Sequence, residues 1–479
     1  MSLLSNAKWN ALSQFFKIFV QAINLIYLAK IIPPAEYGLL AMAAVVINLG
    51  ILLRDLGTSA AIIQRKVLSN DLINSIFWLN VGLGVFLCAV IMLLAKPLAI
   101  LYGYPELVTI LILLGFTFPL SSCASAHLAL LERNSRFKTI SRIEVTSALL
   151  SVVVAIIMAN LGFGVFSLVA QAITLNLVSA IQFWVVSTWR PSVKQFIKLN
   201  DIKEIFSFST NLSFFNFINY FSRNADSFIV GKFMSAATLG QYNLAYRIML
   251  FPLQSLTFVA TRSLYPILSK HQDDNGKILT TYLNTVFVIL ALTAPLMSII
   301  AFYSFPLVTT FFGEQWIKTA EILKWLAPTA IIQSVLSTSG SVFMAKGRTD
   351  VLMKLGILSA FLQLSAFMLG VNFDINTFAK FYLIANLINF VPAMYFLMKL
   401  IGGNMLMLFL KVYPIIIATS GMLFLIVFIE NWFSNDGINR LLPLIWLFVC
   451  DFLFYFFCLF TISKSSREFL FSKMKSYSK

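Results

Sequence analysis

A chain of 479 residues with 59% hydrophobic and only 11% charged residues, carrying 35 Lys and Arg against 19 Asp and Glu, is far from soluble composition, where about a quarter of residues are charged. A cytosolic enzyme, a disordered chain and a disulfide scaffold are excluded. The composition is that of an all-α polytopic membrane protein, and apolar stretches long enough to span mark about 14 transmembrane helices.

The first predicted helix is interrupted by Gln14, Lys17, Gln21 and Asn24, unlike the unbroken apolar stretch of a signal peptide, so it is expected to be retained. Their spacing of 3, 4 and 3 stacks the four polar residues on one helical face. The second helix follows LAKIIPPAEYGLLAMA and closes on Arg54 and Asp55, ahead of GTSAAIIQRK. Neighbouring helical residues point about 100° apart, so Arg54 and Asp55 need not be an ion pair. His127 is the one histidine near a span and reads as a satisfied interface histidine. Arg142 and Glu144 sit at an inner helix end and read as solvated boundary charges. From Val145 to Trp189 there is no charged residue, which requires two crossings.

After the basic connection from Arg190 to Lys203 the chain repeats itself. VGKFMSAATLGQYNLA follows LAKIIPPAEYGLLAMA with a constant offset of 202, so that Lys30, Ala35 and Gly38 map onto Lys232, Ala237 and Gly240. Further on, Pro97, Gly103 and Pro119 correspond to Pro306, Gly313 and Pro328. Arg136 and Arg142 correspond to Arg348 and Lys354 at an offset of 212, as do Asn160 and Phe166 to Asn372 and Phe378. Each repeat holds six crossings, an even number, so two parallel six-helix repeats are expected, related by an axis along the membrane normal. The predicted organisation is an N-terminal bundle at 1–200 and a C-terminal bundle at 201–404. Residues 405–479 add two C-terminal helices without a counterpart in the repeat and a basic tail.

The offset carries the polar stripe of the first helix onto Asn216, Asn219, Arg223 and Asp226, all polar again. Two symmetry-related helices with polar faces point to a central hydrophilic cavity, against the plainer reading of a hydrogen-bonded seam between helices. Seven cations lie in or near the ends of spans: Lys17, Arg54, Arg223, Arg247, Arg262, Lys324 and Lys380. Charges at bilayer depth cost about 2.5–3.5 kcal/mol or more and normally face a cavity or a partner. Lys324 and Lys380 read as snorkelling from outer helix ends. Arg262 is ambiguous near the inner face, and the other four, set against Asp55 and Asp226, leave the cavity cationic. That suits an anionic, diphosphate-bearing cargo held by charge-assisted hydrogen bonds. Substrate binding is therefore assigned to Lys17, Arg54, Arg223, Arg247 and Arg262, polar lining to Gln14, Gln21, Asn24, Asn216 and Asn219, and ion coupling to Asp55 and Asp226. Asp451, a lone acid in the last helix, reads as a packing or coupling residue.

Of the other cations, 23 fall in the connections assigned inside and 5 in those assigned outside. By the positive-inside rule both termini are cytoplasmic, and the basic surplus is a topology device rather than a nucleic-acid surface. Cys88, Cys123, Cys450 and Cys458 lie in apolar segments without metal-ligand spacing, so no metal and no cofactor are expected. Short outside connections leave no room for a catalytic domain, and an enzyme such as a polymerase or ligase is disfavoured.

The ordered set LAKIIPPAEYGLLAMA, DLGTSAAIIQRK, LLERNSRFKTISRIEV, YFSRNADSFIVGKF, LGQYNLAYRIM and GEQW resembles polysaccharide exporters of the Wzx type. Their branch nearest this chain is that of the colanic-acid and teichuronic-acid exporters, within the multidrug/oligosaccharidyl-lipid/polysaccharide transporter superfamily. The resemblance runs over residues 7–400. It implies a flippase of the bacterial inner membrane that moves an undecaprenyl-diphosphate-linked oligosaccharide, as in O-antigen export, from the cytoplasmic to the outer leaflet by alternating access. It also implies that the helix pair at the C-terminus accommodates the lipid tail, and that a polysaccharide polymerase and assembly proteins are partners. The family's arginine and acid in YFSRNAD match Arg223 and Asp226, while Lys232 stands where Arg is common. The competing readings are a peptidoglycan lipid-precursor flippase and a drug/cation antiporter. The antiporter is disfavoured by the two extra helices and the cationic surplus.

Overall fold

The computed structural model describes residues 3–54, 62–63, 68–193, 220, 224–432 and 441–463, with side chains for all of these except 3–13, 15, 251–263, 430–432 and 441–445. Among the described residues every regular element is helical. In chain order these are α1 (Leu3–Ile31), α2 (Pro34–Arg54), α3 (Asn70–Tyr102), α4 (Leu107–Gly115), α5 (Thr117–Arg133), α6 (Phe137–Asn160) and α7 (Val165–Val186). A helix at 224–233, α8, precedes α9 (Ala236–Ser269). Then follow α10 (Asn275–Phe302), α11 (Ser304–Phe311), a 3-10 turn (Glu314–Trp316), α12 (Ile317–Ala345), α13 (Thr349–Gly370), α14 (Ile375–Leu400), α15 (Met405–Trp432) and α16 (Leu441–Ile462). Nine stretches among the described residues are long and apolar enough to cross a membrane, against the fourteen crossings expected. Leu3–Ile31, Ala236–Ser269 and Ile317–Ala345 are not among the nine; each is long, and each carries polar or charged residues within its length.

Two compact units divide the chain, Met1–Gly240 and Gln241–Lys479. In the first, α3 packs on α5, α5 on α7 and α6 on α7. In the second, α10 packs on α12, α12 on α14 and α13 on α14. The same order of contacts recurs in the order in which the sequence repeats.

The turn after α5 shows the repeat bond by bond. Asn134, Ser135 and Arg136 donate their amides to the carbonyls of Leu130, Glu132 and Leu131 at 3.1, 2.9 and 2.9 Å. Lys346, Gly347 and Arg348, each 212 residues on, donate to Val342, Met344 and Phe343 at 3.0, 3.0 and 2.8 Å. Both turns need a left-handed residue to satisfy the last carbonyls of the helix. It is Gly347 at φ +66° in the second copy and Ser135 at φ +54° in the first. A side chain in that region costs roughly 1–2 kcal/mol, partly offset by the freedom a glycine loses on folding. Ser135→Gly is therefore expected to stabilise the first unit by about 0.5–1 kcal/mol, read as a raised melting temperature in detergent. An unchanged or lowered temperature would count against strain at this position.

Pro34 and Gly38 on α2 meet Ala236 and Gly240 at the start of α9. A Cβ built on Gly38 would overlap the Ala236 carbonyl, and one built on Gly240 would overlap the Pro34 carbonyl. The offset of 202 maps Gly38 onto Gly240 and Pro34 onto Ala236, so it exchanges the two contacts with each other. Only glycine allows backbones this close, and the gain is van der Waals packing plus Cα–H···O contacts.

Candidate functional site

The polar stripe of the first helix is held as its spacing predicts, on one side of a continuous α1. Gln14 and Gln21 are exposed, Lys17 is half-buried and Asn24 is buried. Lys17 Nζ lies 2.6 Å from Glu144 Oε2 on α6, the two side chains 21% and 39% exposed. Asn24 Nδ2 donates to Gln171 Oε1 on α7 at 3.2 Å, leaving Asn24 Oδ1 buried without a partner. Farther along, Asn160 Nδ2 donates to the Tyr27 hydroxyl at 3.0 Å. Thr146 on α6 donates to Gln182 on α7 at 2.8 Å. A polar seam thus runs between α1, α6 and α7. Glu144, read from the sequence as a solvated boundary charge, is the counter-ion of Lys17, and the ammonium is locally compensated. The two partners stand 127 residues apart, a separation at which no spacing rule operates.

Arg54 closes α2, where a cation complements the negative end of the helix dipole, and donates to Ser121 Oγ on α5. Asp226 on α8 is buried and accepts from the Ser227 amide at 2.6 Å. Arg247 is exposed on α9. The side chain of Arg262 lies outside the described residues, as do Asp55, Asn216, Asn219 and Arg223. The structure therefore brings together Lys17, Glu144, Asn24 and Gln171 within the first unit, with Arg54 tied to a different helix pair.

Lys324 and Lys380 each place the ammonium over an aromatic ring, 4.5 Å from the Phe305 centroid and 4.9 Å from the Trp325 centroid, within cation–π range. Lys324 also borders a cavity of about 510 Å³ between α10, α12 and α15, lined by Ser298, Phe302, Pro328, Ile331 and Leu423. His127, expected to be satisfied, is fully buried with neither ring nitrogen hydrogen-bonded. It sits instead among the rings of Phe77, Trp184 and Trp189, at 6.2, 4.8 and 5.4 Å between centroids. Among the described residues no three His, Cys, Asp or Glu side chains converge as metal ligands would.

Residues 27–321 match the family described as "Polysaccharide biosynthesis protein". The chain belongs to this family. The chain is 27% identical over 369 residues to the lipopolysaccharide biosynthesis protein WzxC of Escherichia coli (strain K12), covering 77% of this chain and 75% of that one. It is also 27% identical over 427 residues to the teichuronic acid biosynthesis protein TuaB of Bacillus subtilis (strain 168), covering 88% and 87%. Its fold is that of the lipid II flippase MurJ in an inward closed conformation, with a TM-score of 0.70 at 16% identity over 93% of this chain and 97% of that one. This polysaccharide biosynthesis protein is a multi-pass membrane protein, and the ordered motifs read from its sequence fall largely within the matched residues.

Proposed function

We propose that the protein is a flippase that carries a polyprenyl-diphosphate-linked oligosaccharide from the cytoplasmic to the outer leaflet of a bacterial inner membrane. The observation that carries this reading is membership of the polysaccharide biosynthesis family over residues 27–321. The polar groups that α1, α2 and α6 present within the first unit support it. A sugar–diphosphate headgroup cannot enter hydrocarbon unaided, since each uncompensated polar group costs about 2–7 kcal/mol to desolvate. A bundle with charged and amide side chains at membrane depth offers that headgroup replacement partners while the isoprenoid tail stays in lipid.

In this reading two six-helix bundles, 1–200 and 201–404, alternate access to a cationic cavity, and 405–479 flank it. Lys17, Arg54, Arg223, Arg247 and Arg262 receive the diphosphate or acidic sugars. Gln14, Gln21, Asn24, Asn216 and Asn219 meet the hydroxyls, and Asp55 or Asp226 couples an ion. Lys17 takes part by exchanging Glu144 for the anionic cargo, one anionic partner replacing another. Both termini lie in the cytoplasm, and a polysaccharide polymerase working on the outer leaflet is the expected consumer of the product.

Deletion of the gene tests the reading. Lipid-linked repeat units are expected to accumulate on the cytoplasmic leaflet while surface polysaccharide is lost, and the intact gene restores both. Repeat units that reach the outer leaflet at the normal level in the deletion would contradict it.

A further inference from the structure

The last helix pair stands outside the internal repeat, yet it holds an acid at full burial. Asp451 lies near the middle of α16 and is 0% exposed. Its Oδ2 accepts from the Tyr303 hydroxyl at 3.0 Å, and its Oδ1 has no hydrogen-bond partner. One turn further along α16, Tyr455 is also 0% exposed with an unpartnered hydroxyl. Both tyrosines belong to one buried cluster with Ile415, Ala418, Met422 and Leu459. Phe448 packs against the ring of Tyr303 at 5.3 Å and Phe456 against that of Tyr455 at 5.3 Å. Ser304 beside Tyr303, and Thr419 on α15, add two further buried hydroxyls without a partner.

The elements packed against α16 are α10, α11 and α15. On α10 the titratable groups are Lys277 and Tyr282. Lys277 lies in the first turn, roughly 39 Å from Tyr303 at 1.5 Å per residue, and the Tyr282 hydroxyl is directed at Met394 Sδ at 3.5 Å. There is no titratable residue on α11. On α15, Lys411 holds its ammonium over the Phe287 ring at 5.3 Å, sixteen residues or about 24 Å along α10 from Tyr303. Tyr413 is exposed, and the side chain of Glu430 lies outside the described residues. On α16 itself Cys450 is exposed and Cys458 half-buried. Lys324 on α12 is the cation nearest this region, its ammonium held over the ring of Phe305, two residues from Tyr303, and among the described residues no cation forms an ion pair with Asp451.

An ionised carboxylate here would carry a desolvation penalty of several kcal/mol with one phenol to offset it. A sodium ion would need several oxygens converging on the carboxylate, whereas among the described residues the one side chain bonded to Asp451 is Tyr303, and the unpartnered hydroxyls of Ser304, Thr419 and Tyr455 make no bond to it. A proton needs only the unpartnered oxygen. We propose that Asp451 is a proton-binding site. A proton taken from water bonds to Oδ1, while Tyr303 keeps its own proton and goes on donating to Oδ2. Release of the proton leaves a carboxylate held by Tyr303.

Infrared difference spectroscopy of the full chain in lipid nanodiscs tests this without any transport step, so its outcome is separate from that of the flippase reading. The difference between wild type and Asp451→Asn, a near-isosteric change, isolates one carboxylic-acid carbonyl band. The band is expected at acidic pH and is expected to vanish as the pH is raised. Tyr303→Phe removes the donor that favours the carboxylate, so its band should persist to a pH higher by about one unit. This second variant is compared directly with wild type, which keeps the test usable should Asp451→Asn fail to fold. Absence of the band at every pH, a band indifferent to pH, or a band abolished by sodium at constant pH would each overturn the proposal.

Discussion

Valine at Gly38 or Gly240 is expected to abolish the recovery of monodisperse protein, and alanine at either position to lower the melting temperature. At both glycines the added Cβ would run into a backbone carbonyl, of Ala236 and Pro34 respectively. Neither obstacle can rotate away as a flexible side-chain end does, so the two helices must move apart at these glycines. Overpacking of this kind costs about 1–3 kcal/mol, and valine goes beyond that range. Gly82 is the control. It lies in the same class of helix, a Cβ there meets nothing within 4 Å, and alanine should be neutral or slightly stabilising. Size-exclusion profiles and thermal unfolding of the three alanine variants decide the matter. Equal melting temperatures for Gly38→Ala, Gly240→Ala and Gly82→Ala would refute the close crossing.

A second large effect is expected at Lys17 and Glu144. Lys17→Ala strands the Glu144 carboxylate on α6, and Glu144→Ala strands the ammonium on α1. At 21% and 39% side-chain exposure the loss is discounted from the 3–5 kcal/mol of a fully buried pair to about 1–2 kcal/mol. The charge-swapped double variant, Lys17→Glu with Glu144→Lys, should recover most of that stability, because the attraction does not depend on which helix carries which sign. Export should not recover with it, since the cation now stands on α6. A double variant with normal stability and at least tenfold less surface polysaccharide is the expected result. Full recovery of export would reduce Lys17 to a structural ion-pair partner.

These residues also show where reading the sequence reaches its end. Helical periodicity was enough to put Gln14, Lys17, Gln21 and Asn24 on one face, because 3.6 residues per turn is a local property. Offsets of 202 and 212 paired Gly38 with Gly240 and Arg136 with Arg348, and the structure realises both, as a reciprocal pair of helix contacts and as one hydrogen-bonded turn built twice. What Lys17 touches was not legible. Its partner depends on how α1 packs against α6, and that packing depends on the shapes of many side chains at once. His127 among its three aromatic rings, and Asp451 beneath Tyr303, were hidden for the same reason: each joins residues brought together by tertiary packing alone. Lys324 illustrates a smaller gap, since snorkelling and a cation–π contact use the same side chain in the same place.

The measurement that bears most directly on the account is translocation by the purified protein in proteoliposomes loaded with a polyprenyl-diphosphate oligosaccharide. An impermeant enzyme that cleaves the headgroup reports how much of the lipid faces outward over time. The wild type should expose the inner-leaflet pool within minutes, and Arg54→Ala and Arg223→Ala should slow this at least tenfold while remaining folded. Exposure no faster than in protein-free liposomes, or wild-type rates in both arginine variants, would contradict a cationic path for the headgroup.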